Sequence, residues 1–148
     1  MVGDGWWWVG VLNGHIMTKC NPCFFHDCHL CCVNTRMTLT EADRKRLEVA
    51  GCLDFFFVND DNDLQLRNVD GHCIFLVDGQ CSVHEDRPEG CRLYPLILDL
   101  SVDRVILDAF CPWAKEFHFT QDDRVELRRS VSDEEKEGRL RATRKGSG

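Results

Sequence analysis

The chain has 148 residues, enough for one domain with a single modest core. Lys and Arg number 18 against 25 Asp and Glu, and the net charge of −7 argues against a general nucleic-acid binder, which needs a basic footprint. Hydrophobic residues make up 43% and charged ones 29%, a globular rather than a disordered balance, and no apolar run approaches the roughly 20 residues that span a bilayer.

At the N-terminus, residues 1–16 carry Trp6-Trp7-Trp8 beside glycines and fit no periodic element. No Lys or Arg precedes the apolar stretch, Asp4 lies within it, and Gly10 and Gly14 interrupt it. It reads poorly as a secretion signal, so a cytoplasmic location is expected, with thiols kept reduced. One reading takes Met17 as the natural start and residues 1–16 as a non-native or disordered extension; the alternative is a Trp-rich contact segment. Residues 17–120 are expected to form the domain, and 121–148 a charged helical or disordered tail.

Within 17–120, residues 19–34 form a cysteine-rich loop. A helix is expected at about 40–50, capped by Thr38 with Glu41 or by Thr40 with Asp43, and ended by Gly51. Leu47 and Ala50 are expected to face the core. Phe55 to Val58 reads as a short buried strand or helix end. Asn59 to Asp63 reads as a solvated turn rather than a calcium loop, because its acidic residues are consecutive rather than alternating. Leu64 to Arg67 alternates as a half-buried strand. Residues 73–77 and 81–84 flank Asp78-Gly79-Gln80 as a hairpin, and 96–100 pairs with 104–109 across Ser101-Val102-Asp103. The segment 121–148 has only Val125, Leu127, Val131 and Leu140 as candidate apolar contacts. It carries 8 basic and 7 acidic side chains, so a solvated surface is expected. No internal repeat stands out. The expectation is a small α+β domain organised around a multi-cysteine metal site.

Ten cysteines are the compositional outlier. The first group runs Cys20-x2-Cys23-x4-Cys28-x2-Cys31-Cys32. A C-x2-C spacing lets two thiolates reach one ion from a tight turn, and two such pairs so close together point to metal. Adjacent Cys31 and Cys32 do not easily point the same way, so they serve two sites, or one binds while the other packs. Cys73, Cys81, Cys91 and Cys111 form the second group. Cys73 and Cys81 are expected at mirrored places on the hairpin, and Cys111 precedes Pro112. Cys52 follows the helix stop without a spaced partner and reads as a packed core thiol. All-thiolate ligation suits zinc or an iron–sulfur cluster.

The stretch Cys28-x2-Cys31-Cys32, the helix after Thr38-Leu39-Thr40, Gly71-His72-Cys73-Ile74-Phe75-Leu76, Gly79-Gln80-Cys81-Ser82-Val83-His84, and Arg87-Pro88-x-x-Cys91-Arg92-Leu93-Tyr94-Pro95 together carry a resemblance. Over about residues 20–117 the chain resembles the YkgJ-type cysteine-cluster family, the zinc- or iron-chelating domain also present in flagellin N-methylase. The resemblance implies a metal site of about eight cysteines: Cys23, Cys28, Cys31, Cys32, Cys73, Cys81, Cys91 and Cys111, with Cys20 as an extra candidate. The chain departs from the family's C-x2-C-x2-C-C opening. Phe25 stands three residues before Cys28, so the first ligand is either Cys23 or Cys20. The methylase relative tilts the expectation towards an iron–sulfur cluster over zinc.

His26 and His29 lie inside the first group as lesser ligand candidates. His84 is expected to pack or face solvent, His72 to sit in a turn, and His118 to be half-buried between Phe117 and Phe119. Arg92 and Arg87 are candidate donors to a cluster sulfur or an anionic ligand. The plainer alternative pairs Arg87 with Glu85 or Asp86. The leading functional expectation is a small metal-chelating protein. Its alternatives are an iron–sulfur enzyme of methyl-transfer or redox type, and a zinc-stabilised interaction module that meets an unknown protein partner through the charged tail.

Overall fold

A computed structural model describes Pro22, His26 and residues 28–147 of the chain. The expected extension 1–16 and the candidate ligands Cys20 and Cys23 lie outside the described residues. The fold is a small α+β domain, with three α-helices and short antiparallel strand pairs among the described residues. Among the described residues, no helix is long and apolar enough to cross a membrane.

Strand β1 (Thr38–Leu39) leads directly into helix α1 (Glu41–Val49). Of the two expected caps, Thr40 is the one used. Its hydroxyl accepts the Asp43 N–H at 3.0 Å, and Asp43 Oδ2 accepts the Thr40 N–H at 3.0 Å. Thr38 instead donates its hydroxyl to Glu134 at 2.8 Å. Leu47 is fully buried, as its place on the helix predicts. Ala50, expected inside, is exposed: it is the C-cap, where the chain is already turning towards Gly51 at φ +95°.

Strands β2 (Phe56–Val58) and β3 (Leu64–Leu66) join β1 in an antiparallel sheet of order β1-β3-β2. Central β3 buries Leu64 and Leu66 on one face. Phe55, just before β2, is buried, whereas Phe57 and Val58 on the edge strand are exposed. The run 59–63 is a turn closed by its own side chain, since Asn59 Oδ1 accepts the N–H groups of Asp61 at 2.9 Å and Asp63 at 3.0 Å. The main core gathers Leu39, Leu47, Phe55, Leu64, Leu66 and Phe75 around Cys73. Each such side chain contributes about 1.5–3 kcal/mol by leaving water.

The expected hairpin over 73–84 is in fact the second of two tandem hairpins. Strands β4 (Asn68–Val69) and β5 (His72–Cys73) pair with Asn68 opposite Cys73. Strands β6 (Leu76–Val77) and β7 (Gln80–Cys81) pair with Leu76 opposite Cys81. Asp70-Gly71 and Asp78-Gly79 turn the chain with φ of +52° and +84°, and +52° and +77°. Positive φ at both central residues is the type I′ geometry that matches strand twist. The sequence therefore does hold a local repeat, Val-Asp-Gly-x-Cys at 69–73 and again at 77–81. Cys73 and Cys81 occupy the same place in successive hairpins rather than facing each other across one.

Helix α2 (Glu89–Leu93) follows, then β8 (Leu96–Asp99) and β9 (Arg104–Leu107), paired as expected around residues 100–103. Asp43 ties α1 to α2: its buried Oδ1 accepts the Glu89 N–H at 3.1 Å and the Arg46 guanidinium at 2.9 Å.

Residues 121–147 are one helix, α3 (Gln121–Ser147), about 40 Å long at 1.5 Å per residue. Thr120 and Asp123 cap it with the same reciprocal pattern as Thr40 and Asp43. Leu127 packs with Leu93 and Leu96 in a second core. Val131 packs against the same cluster, and further contacts are polar. Glu126 pairs with Arg92, and Arg128 reaches Asp103 at 2.9 Å. Glu134 accepts from Thr38, and Glu137 accepts the Glu41 N–H at 2.9 Å. Arg141 binds Glu41 and the Asn62 carbonyl, each at 2.8 Å. Gly138 lies over the 59–63 turn, where a Cβ would meet Asp63 Oδ1 at 2.7 Å. The helix therefore lacks an apolar stripe because charged groups hold most of its length.

Candidate metal centre

Several separate pieces of chain deliver the thiols. A 3-10 turn at Leu30–Cys32 carries Cys31 and Cys32, closed by the Cys32 N–H to the His29 carbonyl at 2.9 Å. The chain then pairs Val33 with His72, and the Asn34 N–H reaches the Gly71 carbonyl at 2.8 Å. That contact fixes the cysteine loop beside the first hairpin and Cys73. The second hairpin brings Cys81, and α2 brings Cys91. Cys111 sits in a turn whose N–H bonds the Asp108 carbonyl at 3.1 Å. At the outer end, His26 stacks on Trp113 with ring centroids 3.5 Å apart and meets Glu116 through Nε2 at 3.0 Å. This clasp holds His26 against the Cys111 turn.

The thiols lie within one another's fields, and Cys31 is the hub. Its own thiol is pushed up, first by a hydrogen bond with Cys32 and then by burial. Burial raises the Cys91 thiol, and the charges of Cys31, Cys73 and Cys81 add to it. Cys73 rises through burial, with Cys81 and Cys31 adding, and Cys111 rises through burial, with Cys28 and Cys31 adding. Cys32, Cys73, Cys81 and Cys91 all pack on the main core. Crowded, half-desolvated sulfurs resist becoming anions together unless a cation joins them. Cys52 packs on the same core, but burial and the charge of Asp86 raise its thiol, not the other sulfurs.

Two buried nitrogen atoms near this group have no hydrogen-bond partner: Arg87 Nε and His29 Nδ1. Arg87 is 6% exposed, and its Nη1 donates to the His84 carbonyl at 3.0 Å. Its charge acts on Cys31 and Cys91 and not through an ion pair with Glu85 or Asp86. Arg92 points elsewhere, with its guanidinium held by Glu89 and Glu126. Tyr94 donates its hydroxyl to Asp108 at 2.6 Å, and burial followed by that carboxylate raises its phenol. His84 is held down to about 4 by burial and then by Arg87, so it is neutral at physiological pH. His72 lies on β5, with Nδ1 3.1 Å from the Cys73 carbonyl. His118 is exposed in a loop, although half-burial was expected, because its neighbour Phe117 takes the buried position.

The eight described cysteines are free thiols. Among the described residues, no three His, Cys, Asp or Glu side chains are already drawn together as an ion site. The chemistry nonetheless fits a thiolate-bound metal. The donors are soft sulfurs, and a buried guanidinium with an unused N–H has its charge felt by Cys31 and Cys91, suited to offset the negative charge of a thiolate-rich centre. The sequence reading of this site missed the orphaned His29 Nδ1 and the clasp by Trp113 and Glu116. The repeated Val-Asp-Gly-x-Cys was the available signal for the paired delivery of Cys73 and Cys81.

Over residues 19–137 the chain matches the family described as "CxxCxxCC: Putative zinc- or iron-chelating domain". The chain belongs to this family. No curated protein and no solved structure matches it.

Proposed function

We propose that, as a member of this zinc- or iron-chelating family, the protein is a resident-metal protein whose centre is an iron–sulfur cluster in preference to zinc. Cys28, Cys31, Cys32, Cys73, Cys81, Cys91 and Cys111 hold it, with Cys20 or Cys23 as a further ligand. What supports this reading is the family match over residues 19–137, together with thiols carried by the 28–32 loop, the two hairpins, α2 and the 111 turn, whose charges act on one another. When bound, such a centre supplies one-electron chemistry if it is iron–sulfur, or a folding cross-link if it is zinc. The protein works in a reducing compartment, where these thiols remain available. Iron in preference to zinc rests on the resemblance to the methylase module.

The test is the iron, zinc and acid-labile sulfide content of anaerobically purified protein, with a visible spectrum of the same sample. Iron with sulfide and a brown chromophore supports the reading. Stoichiometric zinc without a chromophore replaces the cluster by a structural zinc site. Absence of both metals refutes it.

A further inference from the structure

Burying an arginine is costly unless each of its five donors has a partner. The structure buries Arg87 almost completely and leaves its Nε–H unbonded. Nothing about the site suggests a loosely placed side chain. The Arg87 backbone is fixed from α1, where Arg46 Nη2 donates to the Arg87 carbonyl at 2.9 Å and Arg46 Nε donates to the Asp86 carbonyl at 3.3 Å. The Arg87 Nη1 is anchored on the His84 carbonyl at 3.0 Å. Pro88 then caps α2, which carries Cys91 four residues after Arg87. Backbone and one end of the guanidinium are thus pinned, and Nε is the atom of the group left buried without an acceptor.

Arg92 provides the contrast. It lies one residue from Cys91, yet Glu89 and Glu126 neutralise it. Arg92 is an ordinary structural cation between α2 and α3. Arg87 has no carboxylate partner among the described residues, and its charge acts on Cys31 and Cys91.

We infer that Arg87 is a positioning residue of the metal centre: its buried Nε–H donates to a metal-bound thiolate, that of Cys31 or Cys91, and its fixed charge offsets that of the thiolates. The inference rests on the metal reading above and names the part of the chain that tunes the site. A hydrogen bond to a coordinated sulfur orients that ligand and removes part of its charge. The guanidinium suits the role because it stays charged at every accessible pH and its fork is rigid.

The test compares Arg87→Met, Arg87→Lys and Arg92→Met in the full-length chain, using chelator competition for iron and zinc and thermal unfolding with and without metal. Arg87→Met is expected to weaken metal retention by about 10- to 100-fold, the range for losing an outer-sphere partner. The metal-free form of Arg87→Met should be at least as stable as wild type, because an unpaired buried cation is gone. Arg87→Lys restores the charge but not the Nε donor and should fall between wild type and Arg87→Met in metal retention. Arg92→Met should show the opposite pattern, with lower stability and wild-type metal retention. Where the metal-free forms do not unfold cooperatively, the competition ranking of Arg87→Met against Arg92→Met decides. Equal metal retention in Arg87→Met and wild type overturns the inference while leaving the metal reading intact. A wild-type chain that retains neither metal overturns both.

Discussion

Glu134→Gln is expected to stabilise the protein at pH 8 and to leave it unchanged at pH 4. Glu134 lies where α3 crosses β1, bonded to Thr38 and facing Asp43, Asp63 and Glu137, with Arg141 engaged nearby by Glu41. Burial, reinforced by those acidic neighbours, pushes its carboxyl from the ordinary 4.5 up to about 7. A carboxyl whose pKa is raised in the folded state binds its proton more tightly there than in the unfolded chain. Its favourable contribution is therefore complete below pH 4.5 and is lost as pH rises through about 7. At about 1.36 kcal/mol per pH unit, the difference sets an upper limit of about 3 kcal/mol on the penalty of ionising Glu134 in place. Glutamine keeps the acceptor for Thr38 and cannot ionise. Urea unfolding of both chains at pH 4, 6 and 8 should show a gap that opens from nothing to about 1–3 kcal/mol, since water reaches part of the side chain. Acid loss of metal acts on both chains and cancels from the difference. A gap independent of pH, or a less stable glutamine variant at pH 8, would refute the reasoning.

Asp43→Ala removes a helix cap and leaves the Glu89 N–H and Arg46 without their acceptor. The expected loss is about 2–4 kcal/mol by urea unfolding, and a loss below about 1 kcal/mol would contradict the role of this carboxylate as the joint between α1 and α2. Cys31→Ser and Cys91→Ser should each lower metal content, while Cys52→Ser keeps it; equal loading in all three, measured by elemental analysis, would dissolve the proposed ligand set. Gly79→Ala meets no atom within 4 Å, so its expected cost of about 1–2 kcal/mol is backbone strain at positive φ alone, and a neutral result in thermal unfolding would argue against the type I′ turn.

Local signals were legible where one element decided its own form. Thr40 with Asp43, the Asn59 turn, the alternation of Leu64 and Leu66, and the strand pair around residues 101–103 all follow from neighbours in sequence. The family and the α+β class followed from the ordered cysteine motifs. Other features depend on partners far along the chain. The docked face of α3 uses Glu134, Glu137 and Arg141, and such charged positions are indistinguishable from a solvated surface until Thr38, Glu41 and Asn62 are placed opposite them. Likewise, Arg87 and Arg92 flank Cys91 as equals in sequence. Only the folded positions of Glu89 and Glu126 separate the neutralised arginine from the unpaired one. The additional hairpin at 68–73 was written in the sequence, but as an echo eight residues ahead, too short to stand out among ordinary turns.

That echo has a consequence for how such a centre can vary. Each Val-Asp-Gly-x-Cys hairpin closes its own strand pairing and turns on its own Asp-Gly, with its sulfur two residues past the turn. Cys73 and Cys81 are thus spaced by one complete module. Gain or loss of a module would change the number of sulfurs in whole steps and leave the pleat, and therefore the inward face, in phase on either side. A shift of a single residue within a module would instead turn the sulfur to the opposite face. The number of sulfurs this stretch presents is in that sense digital, set by how many turns the chain makes before it reaches α2.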